Sequence, residues 1–134
     1  MQIKAIRMKN WKCFTLEIFE FDKLNIINRP NGTGKTSMFE AILFCLYGKR
    51  PTGFNFTTMR NNPKSACVVT TVFEYYNPKI MEHCEVFVER EFGGKNGSTC
   101  LAKIRKSKES DSVLKGWESC QTIGTSHNDV VEFI

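Results

Sequence analysis

Apolar and polar residues alternate along the opening stretch "MQIKAIRMKNW", first around Ile3 and Ala5 and then around Ile6 and Met8. A period of two belongs to a half-buried strand, and a strand is predicted here. "CFTLEIFEFD" alternates more clearly, with Phe14, Leu16 and Ile18 on one side. Its apolar positions then move to Phe19 and Phe21, which predicts a bulge or bend near Ile18. "KLNIIN" is a short apolar run ending at a glycine-rich turn, the pattern of a buried strand feeding a loop. From Lys35 the period changes. Met38, Phe39 and every residue from Ala41 to Tyr47 are apolar, which predicts a helix buried on most sides. Gly48 is its predicted C-cap, with Lys49 and Arg50 at the negative end and Pro51 beyond.

"GFNFTTMRNNPKS" is rich in turn formers and reads as a loop. Two strand patterns follow, "ACVVTTVFEYY" and "HCEVFVEREF", joined by a turn around Asn77 and Pro78. "GGKNGS" is a second turn and "TCLAKIRK" a third strand, so the short connections predict an antiparallel meander. "SKESDSVLKG" is a polar connection. "SHNDVVEFI" offers Ser126, Asn128 and Asp129 as N-caps and begins a helical pattern, inside which the sequence stops at Ile134. No internal repeat or low-complexity segment interrupts the chain.

The totals restrict the class. A length of 134 residues with 41% hydrophobic and 25% charged residues is that of one domain or part of one, with enough apolar material for a core. The formal charge of +5 suits a polyanionic partner without demanding one. Its clusters, Lys9/Lys12, Lys49/Arg50 and Lys103/Arg105/Lys106/Lys108, read one by one as solvated faces, and "KIRKSK" as a surface loop. Six cysteines lie mostly at apolar positions with no C-x-x-C pair, the start lacks a signal-peptide core, and only two histidines are present. Reduced thiols in a cytoplasmic protein are expected, with no zinc site and no membrane span.

The candidate chemistry lies between the third strand pattern and the helix, in "NRPNGTGKTSMFEAILFCLYGKR". The phosphate-loop pattern is G-x-x-x-x-G-K-[ST]; Gly34, Lys35 and Thr36 supply its second half and Gly32 a further glycine. Glycines permit a tight concavity whose backbone N–H groups face phosphate oxygens, and the helix start adds its unpaired N–H groups and partial positive charge. In such a turn Lys35 reaches the β- and γ-phosphates and the Thr36 hydroxyl takes Mg²⁺. Arg29 stands where the pattern has glycine; it either points to solvent, the favoured reading, or adds positive charge near the phosphates, or weakens nucleotide binding.

These residues resemble the N-terminal ATPase segment of the SMC/SbcC family of ABC-type heads. Its loop has the form G-x-N-G-x-G-K-[ST] before a helix ending "AI…LYG"; Asn31, Gly32, Gly34, Lys35, Thr36, Ala41, Ile42, Leu46, Tyr47 and Gly48 match it. "IKAIRMKNWKCFTLEIFEFDKLNIIN" is similar to the family's first strand, its N-[FW]-[KR]-x-[FYH] turn and the strand into the loop. The basic residue of that turn contacts nucleotide phosphates in these heads, and Lys12 holds its place. The later strands are similar to the antiparallel lobe over the nucleotide, and "IGTSHNDVVEFI" to the helical segment before the Q-loop. Gln121 falls too early to be the Q-loop glutamine, and the coiled coil, signature motif and Walker B acidic pair do not occur in these residues.

The resemblance therefore implies an α/β P-loop NTPase of ABC/SMC type, residues 1–134 forming the N-terminal lobe of a head. Residues 1–50 hold strands, loop and helix; residues 51–134 hold the antiparallel strands and the start of a helical segment. The expected cofactors are ATP and Mg²⁺, bound by Lys12, Asn31, Gly32, Thr33, Gly34, Lys35, Thr36 and Ser37, with Thr36 on the metal. Hydrolysis by these residues alone is not expected. The expected partners are a second head or the C-terminal lobe, an SbcD-like nuclease subunit and, weakly, DNA. The competing expectation is a short, non-catalytic protein that pairs with ATPase heads. A nucleotide kinase or GTPase is disfavoured because antiparallel strands, not βαβ repeats, follow the helix.

Overall fold

A computed structural model describes residues 2–12, 14–21, 35–48, 60–62, 64–94, 97–107 and 113–129, the side chains of 35, 36, 94 and 97 excepted. Among the described residues, six strands make one antiparallel sheet: β1 (Gln2–Trp11), β2 (Phe14–Glu20), β3 (Cys67–Asn77), β4 (Glu82–Gly94), β5 (Gly97–Lys106) and β6 (Gln121–Gly124). Their order is β2-β1-β3-β4-β5-β6, so β1 joins the opening hairpin to the meander. The helix α1 (Lys35–Tyr47) packs on one face of the sheet, against β3, β4 and β1. The predicted strand "KLNIIN", Arg29, Lys49, Arg50 and Pro51 lie outside the described residues.

Strand alternation divides the core in two. Val69, Phe73, Val86, Val88 and Phe92 face α1, where Met38, Ala41, Phe44 and Cys45 meet them. Val72 and Phe87 face the other way and are covered by Trp117. The shift in β1 from Ile3 to Ile6 is a β-bulge: Ile3 pairs with Phe73 and Ala5 with Val72, leaving Lys4 extra. The extra residue returns both isoleucines to the α1 side. The bulge expected near Ile18 is not there; β2 pairs in unbroken register from Ile18↔Arg7 to Glu20↔Ala5. Phe19 and Phe21 pack on the core, while Leu16 and Ile18 stand exposed on the sheet's edge strand. Of the three apolar residues that alternate on one side of β2, Phe14 alone is buried in the core.

Two further expectations change. The helix is not buried on most sides: Phe39, Leu43 and Tyr47, one turn apart on a single face, are 48%, 48% and 43% exposed. A single layer, the sheet, packs on α1 among the described residues, and one layer covers one stripe of a helix. β6 went unread, because four residues with one buried glycine carry too little alternation to announce a strand. Gly48 does cap α1, with φ of 70° and its N–H donating to the Phe44 carbonyl at 2.8 Å. Ser126 caps the next helical start, its Oγ accepting from the Asp129 N–H at 3.2 Å.

Candidate functional site

The turn between β1 and β2 is built by asparagines. Asn10 and Lys12 have φ of 58° and 47°, the left-handed region that asparagine tolerates and lysine enters at a cost of ~1 kcal/mol. The Asn10 amide donates to the carbonyls of Asn62 and Ser65 at 2.8 and 2.9 Å and accepts from the Asn62 N–H. Asn61 donates from its side chain to the Lys12 carbonyl at 2.9 Å and from its N–H to the Asn10 carbonyl. The loop at 60–66 thereby fastens a turn far away in sequence. Its turn-rich composition signalled a loop but not this task.

The fastened turn is pressed against the start of α1. Trp11 is fully buried, stacks on Phe44 at 5.3 Å, and donates its indole N–H to the Ser37 carbonyl at 2.8 Å. Lys12 reaches past it to Glu40, Nζ to Oε1 at 2.8 Å, in a partly buried ion pair. Three neighbouring groups, Trp11, Lys12 and Ser37, therefore meet at the first turns of the helix. Lys35 and Thr36 open α1, and Asn31, Gly32, Thr33 and Gly34 lie outside the described residues. The first turn of α1 contains no acidic residue, so the helix itself places no carboxylate at its partially positive end. Of the predicted site residues, the structure brings Lys12 and Ser37 to one end of the helix; it describes no side chain of Lys35 or Thr36.

Two of the other basic candidates, Lys103 and Arg105, have structural occupations. "KIRKSK" begins in β5 instead of a loop. Lys103 donates to the Trp117 carbonyl at 3.0 Å, and Arg105 bonds buried Glu85 at 3.0 Å and lies 4.0 Å over the Trp117 ring. Trp117 in turn donates to the Val113 carbonyl at 2.6 Å, so this network closes the second core. Five cysteines are free thiols; burial pushes Cys45 and Cys67 up to about 12, as expected of inert core residues. No metal cluster and no helix long and apolar enough to cross a membrane occur among the described residues.

Comparison with known proteins agrees with this geometry. An AAA domain family matches residues 5–133. "DNA double-strand break repair Rad50 ATPase" of Methanocaldococcus jannaschii is 37% identical over 75 residues, covering 55% of this chain and 7% of that protein. "Uncharacterized protein 094L" of Invertebrate iridescent virus 3 is 28% identical over 137 residues, 96% of this chain and 15% of that protein. The solved "Structure of the recombination mediator protein RecF-ATP in RecFOR pathway" superposes with a TM-score of 0.59 at 20% identity, over 84% of this chain and 29% of that one. The chain thus spans a small part of the length of these relatives. On these findings the chain belongs to the AAA domain family, as an N-terminal lobe of the SMC/Rad50 type of ABC ATPase.

Proposed function

We propose that the chain binds Mg-ATP at the turn into α1, as the N-terminal lobe of an SbcC-like repair or recombination subunit. The observation that carries the reading is the β1–β2 turn locked onto the helix start, with a lysine ammonium beside it and no acidic residue in the first turn. A triphosphate at that end meets free N–H groups and partial positive charge. Asn31, Gly32, Thr33, Gly34, Lys35, Thr36 and Ser37 form the cradle, with Lys35 on the β- and γ-phosphates and the Thr36 hydroxyl on Mg²⁺. Lys12, held by Glu40 within the same neighbourhood, is the auxiliary cation. Mg²⁺ held through the Thr36 hydroxyl would offset the negative charge of the phosphates.

Turnover calls for groups that these residues do not include, so binding is the activity of this lobe. The exposed Phe39, Leu43 and Tyr47 stripe favours a second layer over α1, supplied by the C-terminal lobe of the head. In the whole subunit, ATP would clamp two heads and control a nuclease subunit on DNA in the cytoplasm. The same stripe also favours the second reading, a short protein that pairs with ATPase heads. Co-purification with a full-length head, lost on Leu43→Lys, supports pairing under either reading; ATP binding separates them.

Titration with a fluorescent ATP analogue and Mg²⁺ tests the site. Lys35→Ala is expected to weaken binding at least tenfold while far-UV circular dichroism stays unchanged, the loss of one charge-assisted contact. Lys12→Ala should cost a few-fold. Equal affinity in Lys35→Ala and the parent would remove the nucleotide reading.

A further inference from the structure

Arg90 is a buried guanidinium, 7% exposed, on the α1 side of β4 between Val69 of β3 and Cys100 of β5. It stands on the sheet face that carries the first apolar core, and among the described residues no carboxylate pairs with it. Its Nε donates to the Cys45 carbonyl at 2.7 Å, and its buried Nη2 has no hydrogen-bond partner. A charge kept in such a place is costly. What offsets the cost is the last turn of α1, whose outward carbonyls carry partial negative charge and need donors. That turn contains no basic residue of its own. Arg90 supplies from the sheet the cation that the helix lacks. A methyl group on Gly48 would stand 2.9 Å from His127 Cε1 and 3.4 Å from Arg90 Cζ, so the start of the next helical segment closes on the same point.

The two ends of α1 are therefore held by different strands. Trp11 of β1 grips the Ser37 carbonyl near the start, and Arg90 of β4 grips the Cys45 carbonyl near the end. A helix of 13 residues is a rod about 20 Å long, stiff along its axis. The geometry points to Arg90 as a positioning residue for the nucleotide site: it sets how far α1 sits along its own axis, and so where the phosphate turn stands. This rests on the nucleotide reading above. Apolar burial is non-directional, whereas a 2.7 Å bond to a helix carbonyl is a directional restraint on where that turn of the helix stands.

Trp11 reports the other end of the rod. The chain has two tryptophans, so Trp117→Phe leaves Trp11 as the only one. In that background, Arg90→Met is expected to shift Trp11 emission without nucleotide and to weaken ATP-analogue binding about tenfold or more, well below the melting temperature. Arg90→Lys, which keeps a charged donor for the Cys45 carbonyl, is expected to restore both to within a few-fold. Arg90→Leu, which likewise has no donor, carries the same comparison if Arg90→Met does not fold. A general loss of stability moves neither native-state reading. If Arg90→Met melts earlier yet keeps the parent's emission and affinity, the proposal is overturned. If the parent binds no analogue, the nucleotide reading is what fails. Trp11 emission then still decides whether Arg90 places α1: a shift upholds that and an unchanged spectrum overturns it.

Discussion

Asn10 sits at φ 58° with 6% of its surface exposed, and its one amide group serves a cluster of loop carbonyls and the Asn62 N–H. Aspartate is nearly the same shape, yet its acceptor-only carboxylate would face those carbonyls. Asn10→Asp and Asn10→Ala should each lower stability by about 2–4 kcal/mol, read from urea midpoints. Asn10→Gly, which accepts the backbone angle, should fall by less than Asn10→Ala if the φ strain contributes. The sequence motif around Trp11 and Lys12 pointed to the right turn. It could not show that residues 60–66 hold it, because side-chain bonds to distant carbonyls leave no periodic trace.

At the scale of elements, α1 was legible in outline and its surroundings were not. Its start at Lys35 and its stop at Gly48 follow from the glycine turn and the left-handed cap, both local properties. The predicted basic partners of its end, Lys49 and Arg50, lie outside the described residues; the cation seen there is Arg90, 45 positions from Cys45. No local pattern announces a strand residue that serves a helix terminus. Gly48→Ala is expected to cost about 1–2 kcal/mol, combining the strained φ with the approach to His127, measured as a lower melting temperature. Which face of α1 is exposed was equally unreadable, since an all-round apolar helix gives no direction until its neighbours are known.

For the molecule as a whole, burial of neutral thiols ties stability to alkaline pH. Cys45 and Cys67 titrate near 12 in the folded chain against 9.0 in the open, so above pH 9 the unfolded state releases protons first. Stability is thus full below pH 9 and falls as pH rises towards 12, by about 1.4 kcal/mol per pH unit for each thiol. Denaturant midpoints at pH 8, 9.5 and 10.5 should show this slope, and it should flatten in Cys45→Ala/Cys67→Ala. By itself the sequence determined the strands of the meander, the boundaries of α1, its C-cap and the family, because period, turn chemistry and a phosphate-loop string are all short-range signals. Only the tertiary structure decided that β1 lies between β2 and β3, that the bulge falls at Lys4, and that a tryptophan and a buried arginine from elsewhere grip the two ends of the helix. Those are bonds between residues tens of positions apart, set by packing and by unsatisfied backbone groups, and no window of neighbouring residues contains them.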